Sequence, residues 1–111
     1  MKYVPDAGDI VKVDFDPSAG HEQAGRRPAL VLSPKIYNQR SGLAVMVPIT
    51  KQSKGYPFEV PLPSGLKTTG VILCDHVKSL DLIARNTAPS DKAPAATWAA
   101  VQERVRLLLG L

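Results

Sequence analysis

The sequence has a single cysteine, Cys74, so no disulfide can form within the chain and an oxidising compartment is not required. Histidine is nearly as scarce. His21 and His76 are the only two, and with Cys74 they are too few and too scattered for a metal centre. No apolar run approaches the ~18 residues of a membrane helix. The opening MKYVPDAGD lacks the apolar stretch of a signal peptide. The expected setting is therefore cytoplasmic, with no membrane partner. GxSxG, HExxH and a Gly-Lys-Ser/Thr phosphate loop are all missing, which removes the commonest hydrolase and nucleotide-binding signatures. Repeats and low-complexity tracts are missing too.

What is present is a chain of 111 residues with 44% hydrophobic and 22% charged residues, a balance that favours one globular domain over residues 1–111. Its charge is unevenly spread. Residues 1–25 carry two lysines against five acids, a net of −3. Residues 26–54 carry Arg26, Arg27, Lys35, Arg40, Lys51 and Lys54 and no acid, a net of +6. A basic third of this kind suits an anionic partner, nucleic acid first, or else a solvated basic face.

Ten prolines and eight glycines cut the chain into short segments rich in β-branched residues. IVKVDF (10–15) alternates and predicts a half-buried strand. PALVLSP (28–34) and LAVMVPIT (43–50) are continuous apolar runs, expected as strands buried on both faces, with Pro48 marking an edge or a bulge. YPFEVPLP (56–63) alternates apolar Phe58 and Val60 with Glu59 and reads as an edge strand; GVILCDHVKSL (70–80) begins as a buried one, and a further short strand is expected near 84–88. From Trp98 the period changes to that of an amphipathic helix, with Val101, Val105, Leu108 and Leu109 on its apolar side. Pro94 suits the first turn, Thr97 an N-cap and Gly110 a stop. The expected architecture is mainly β: five to seven strands in a small, strongly curved, partly open barrel, with one C-terminal helix.

Three places hold polar chemistry. DPSAGHEQAGRRP (16–28) is a long loop between strands, with His21, Glu22, Gln23, Arg26 and Arg27. ITKQSKG (49–55) puts the Thr50 hydroxyl at a strand end beside Lys51 and Lys54, a set able to hold a phosphate oxygen. Cys74, Asp75 and His76 form the third, with Cys74 expected as a buried apolar residue and Cys74 and His76 sharing a face if the strand continues.

The segments at 8–34, 47–60 and 70–81 resemble the MazF/PemK toxins of bacterial toxin–antitoxin systems, in the family's order and spacing. The resemblance rests on Glu22-Gln23 with Arg27-Pro28, the strand-ending Thr50 and the Gln52-Ser53-Lys54-Gly55-Tyr56 turn. It implies an SH3-like curved β-barrel with a C-terminal helix, shared with the gyrase poison CcdB. It implies a homodimer, a MazE-like antitoxin partner, and sequence-specific cutting of single-stranded mRNA without a metal or other cofactor. The alternative on the same fold is a CcdB-like, non-enzymatic gyrase poison.

By that resemblance Arg27 and Thr50 are the catalytic pair and Glu22 the third candidate. The chemistry suits them. The RNA's own 2′-OH attacks phosphorus, leaving a 2′,3′-cyclic phosphate and a 5′-OH, and the protein aligns the attack and neutralises charge. Arg27 offers a fixed fork of donors, although a guanidinium gives up its proton too reluctantly to be a good general acid. For RNA contacts the expected residues are Gln23, Lys54 and His76, then Ser18 and Lys35, with Phe15 as a ring on which a base can stack.

Overall fold

The computed structural model describes residues 3–15 and 25–111. Its elements are β1 (Asp9–Phe15), β2 (Gly25–Val31), α1 (Lys35–Ser41), β3 (Leu43–Thr50), β4 (Glu59–Pro61), β5 (Val71–Leu73), β6 (Lys78–Asp81), β7 (Ala88–Lys92) and α2 (Ala95–Leu109). All strand pairings are antiparallel, in the order β4-β5-β3-β2-β1-β7, with β6 also paired to β3. The two long apolar runs became β2 and β3, at the middle of this order.

Strand β3 organises the sheet. One edge pairs with β2. The other is shared: Leu43–Met46 pairs with β6, and Ile49 and Thr50 pair with β5. Pro48 therefore sits neither at a sheet edge nor at a bulge, as its sequence suggested. It lies at the changeover between β6 and β5, where no ladder partner calls for the N–H that proline lacks. The prolines of 56–63 do mark an edge, since β4 ends the strand order.

Both faces of the sheet are apolar, as the continuous runs require. Ile10, Leu30, Val47, Ile49, Val60, Ile72 and Cys74 pack with Val101 and Trp98 of α2. Val11, Val13, Ala29, Val31, Ala44 and Met46 pack on the opposite face with Leu80 and Leu82. That second layer exists because the chain after β6 crosses from the edge of β3 to that of β1. Leu82 N–H donates to Gly42 O at 3.0 Å, Asp14 N–H donates to Arg85 O at 2.8 Å, and β7 then pairs with β1.

The sheet curls but does not close. Among the described residues no ladder joins β4 to β7, so "barrel" is too strong a word for it. The gap is spanned by a side chain. Asp91 of β7 accepts from Lys67 N–H (3.0 Å), Thr68 N–H (3.0 Å) and the Thr68 hydroxyl (2.8 Å), on the β4–β5 connection. Burial pushes the Asp91 carboxyl up, but these donors and Ser90 outweigh it and hold the group below its ordinary value. Asp6 acts similarly on α1, an element the sequence did not announce. Its carboxylate accepts the Lys35 and Ala7 N–H groups, which lower its pKa. Buried Asn38 ties the same helix to Pro5 O and Ser33 O.

Helix α2 begins at Ala95 after Pro94, two residues before the expected cap, so Thr97 lies inside it and is buried. Gly110 stops it in the left-handed conformation. The buried stripe ends at Val105; Leu107, Leu108 and Leu109 are exposed, unlike the apolar side the sequence period suggested. The strand expected near 84–88 is β7, displaced to Ala88–Lys92 and polar, because it pairs through its backbone at an edge.

Two outcomes follow from this packing. Gly70 has φ +124°, and a Cβ there would lie 2.2 Å from Thr50 O. Gly70→Ala is expected to cost roughly 1–3 kcal/mol and to lower the melting midpoint by at least ~5 °C; an unchanged midpoint would contradict the close approach. Asp6, Asp14 and Asp91 are held below the ordinary carboxylate value of an unfolded chain. Their contribution to stability is complete above that unfolded value and is lost as pH falls through the lower folded values. The melting midpoint should therefore drop steeply below about pH 4, and Asp91→Asn should lower the neutral midpoint while flattening the acid limb.

Candidate active site

The site is set by ladder register. In β2–β3 the pairs are Val31↔Met46, Leu30↔Val47 and Ala29↔Pro48. Carried on by two residues, the same register sets Arg27 opposite Thr50, and directly opposed side chains share a face. In β1–β2, Val13 pairs with Arg27. Val13 belongs to the core layer away from α2, so Arg27 stands at the rim of that layer. Phe15, two residues beyond Val13, packs against the layer from the same side.

The partners of the two adjacent arginines differ. Arg26 is tied to Asp14, Nη1 to Oδ1 at 3.0 Å. Asn86 also donates to Asp14 at 2.7 Å; with Asn86 first and Arg26 second, these bonds hold the Asp14 carboxyl below its ordinary range. Arg27 has no side-chain hydrogen bond or ion pair among the described residues. Its guanidinium is half-buried and its donors are available to a ligand. Thr50 ends β3 opposite Val71 of β5. Its Oγ1 accepts the Gln52 N–H at 3.2 Å, which orients the hydroxyl and leaves its proton to donate elsewhere.

A residue the sequence reading passed over joins this face. Lys78 of β6 pairs with Met46, and its Nζ lies 5.4 Å from the centroid of the Phe15 ring. The signal was there: Lys78, Leu80 and Leu82 alternate with Ser79 and Asp81, the period-two pattern of a strand with Lys78 on the apolar side.

The turn after Thr50 leaves the Thr50 hydroxyl and the lysine side chains as its groups for a phosphate oxygen. Its amide donors already have an anion. Glu59 of β4, buried although it looked like the solvent-facing member of an alternating strand, accepts from Ser53 Oγ (2.8 Å), Lys54 N–H (3.0 and 3.2 Å) and Gly55 N–H (3.1 Å). The Lys54 N–H contributes most to keeping the Glu59 carboxyl below its ordinary value. The side chains of Lys51 and Lys54 remain exposed.

His76 lies in the connection between β5 and β6, which both flank β3. Strand β5 ends at Leu73, and a turn closed by His76 N–H to Leu73 O (3.1 Å) separates Cys74 from His76, so they do not share a strand face. The ring is half exposed, with Nε2 3.7 Å from Asp75 Oδ1. Cys74 is fully buried, as expected, and burial pushes its thiol up to about 11. Lys35 stands beyond the other end of β2 from Arg27, at the start of α1, and the fold does not bring it to the others. Ser18, His21, Glu22 and Gln23 lie outside the described residues.

Comparison with known proteins supplies the context for this arrangement. Residues 6–109 match the family of PemK-like, MazF-like toxins of type II toxin–antitoxin systems. The chain is 48% identical over 109 residues to the endoribonuclease toxin MazF of Escherichia coli K12, covering 98% of this chain and 97% of that protein. A crystal structure of MazF from Deinococcus radiodurans superposes with a TM-score of 0.91 at 52% identity, over 99% of this chain and all of that one. The MazF chain of a MazE–MazF complex from the same organism gives the same score and identity, over 99% of both chains. With its curled antiparallel sheet, C-terminal helix and the Arg27 and Thr50 positions on adjoining strands, this chain belongs to the PemK/MazF-like toxins of type II toxin–antitoxin systems.

Proposed function

We propose that the chain is an endoribonuclease toxin that cuts single-stranded mRNA at a defined sequence and so stops translation. The observation that supports this reading is the β2–β3 register, which, continued past Ala29↔Pro48, puts Arg27, with its donors uncommitted, on one face with Thr50, Phe15 and Lys78. Relatives named endoribonucleases support it. The gyrase-poison alternative asks for neither the arginine nor the hydroxyl.

The reaction needs no nucleophile from the protein. The ribose 2′-oxygen forms a bond to the adjacent phosphorus while the bond to the 5′-oxygen breaks. One proton leaves the 2′-OH and solvent water supplies one to the 5′-oxygen, giving a 2′,3′-cyclic phosphate and a 5′-OH. Arg27 places two N–H donors on the non-bridging oxygens as charge builds there, and Thr50 O–H adds a third. Glu22 is assigned to accept the 2′-OH proton or to orient Arg27. Since a guanidinium releases its proton too reluctantly to serve as the acid, its part is electrostatic. Phe15 offers a ring to a base, with Lys78 beside it. Gln23, Ser18, Lys54 and His76 are assigned to RNA contacts, and no metal or cofactor takes part in this scheme.

The same reading gives the chain a MazE-like antitoxin as its partner, supported by the MazE–MazF complexes among its structural neighbours. It also makes the working form a cytoplasmic homodimer. Large apolar side chains at the surface, among them Ile36, Ile83, Leu107, Leu109 and Leu111, support a protein partner.

Incubating a long synthetic RNA with the protein in excess EDTA tests the assignment. Discrete products ending in 5′-OH are expected. Arg27→Ala should reduce kcat/KM by about 10²–10³-fold and Thr50→Ala by about tenfold, the worth of one hydrogen bond. Cleavage unaffected in both variants would remove the site from this face. A folded protein that leaves RNA intact and inhibits DNA supercoiling would favour the gyrase reading. Light scattering should return twice the chain mass of 11.9 kDa; a monomer at micromolar concentration would overturn the dimer.

A further inference from the structure

A buried carboxylate normally has a cation beside it. Glu59 has none. Its partners are N–H and O–H groups of one turn: Ser53 Oγ, Lys54 N and Gly55 N, with the Tyr56 N–H also favouring its charged form. Successive amides converging on one point make an anion-binding concavity, and here the chain fills that concavity with its own acid. Both ends of the segment are fixed on β5, Thr50 opposite Val71 and Glu59 opposite Leu73, with β5 lying between β3 and β4. Residues 51–58 therefore span a short strand as a loop with an internal strut.

We propose that Glu59 is a positioning residue for substrate binding: by occupying the amides of the Ser53–Gly55 turn, it holds the loop in its RNA-binding form before RNA arrives. The inference rests on the ribonuclease reading and deepens it. Filling the concavity has a second consequence. An RNA phosphate cannot be received by these amides and must be met by the exposed side chains of Lys51 and Lys54. The choice of a carboxylate is chemically specific, since two oxygens accept the four contacts made here. Glutamine would keep the bonds from Ser53 and Gly55 but turn an NH₂ group against the Lys54 N–H.

The test uses the full chain and an oligonucleotide spanning the cleavage sequence mapped with the wild type, 2′-deoxy at the attacking ribose. Glu59→Gln, Lys54→Met and the double variant are compared for affinity, and for single-turnover cleavage of the all-ribose RNA at saturation. Each single substitution should weaken binding about tenfold, the saturating rate staying within about threefold. The double variant should bind no more weakly than either alone, because both act through the same loop. Additive losses near a hundredfold, or Glu59→Gln binding like the wild type, would overturn the proposal. So would a fall in the saturating rate alone.

If Glu59→Gln does not fold, Ser53→Ala removes one donor to the same carboxylate and should show the same non-additivity with Lys54→Met; wild-type affinity there would overturn it equally. A wild type that leaves RNA uncut fails the ribonuclease reading itself. A wild type that cuts, with Arg27→Ala inactive and Glu59→Gln unaltered, fails only the role of Glu59.

Discussion

The antiparallel register between β2 and β3 is the constraint on which the rest depends. Side chains alternate with a period of two, so a slip of one residue would turn Thr50 to the other face and expose half of each core layer. The slip is prevented by apolar residues on both sides: Leu30 and Val47 commit one face to α2, while Val31 and Met46 commit the other to Leu80 and Leu82. The face that Arg27 and Thr50 share is thus a by-product of how two hydrophobic runs bury themselves. The site gains a rigid base without any contact devoted to building it.

Carboxylates supply what the short strands cannot. A curled sheet with strands of three to five residues at its margins leaves many loop amides outside the ladders. Asp6 takes up the amide at the start of α1, Asp91 those at Lys67 and Thr68, and Glu59 those of the turn after Thr50. In each case one charged group replaces several backbone bonds. Among the described residues these acids are therefore structural, leaving Arg27, Lys51, Lys54 and Lys78 as positive charge around the proposed RNA path.

Much of the fold was legible because it rests on local period and punctuation. The alternation of 10–15, the runs at 28–34 and 43–50 and the helical spacing from Trp98 each gave an element of the right kind, and the combination of Glu22-Gln23, Arg27-Pro28 and Thr50 pointed to the family. The misreadings share a cause. Helix α1 depends on Asp6 and on Asn38, whose partners lie far away in sequence. Pro48 looked like an edge marker because nothing nearby shows that β3 has two neighbours on one side. Glu59 looked exposed because its partners lie on a turn that folds back over it.

By itself the sequence determined the strand segments, the terminal helix, the excess of positive charge in the middle third and the inventory of reactive groups. These follow from interactions between residues near one another in the chain. The tertiary structure decided which of those groups meet. It turned Arg27 and Thr50 to one face of the sheet, committed Arg26 to Asp14, brought Lys78 over the Phe15 ring, left Lys35 apart and gave the turn at Ser53–Gly55 its own anion. Those outcomes depend on ladder register and on which amides remain unpaired once the sheet has curled, and both are properties of the assembled sheet rather than of any one segment.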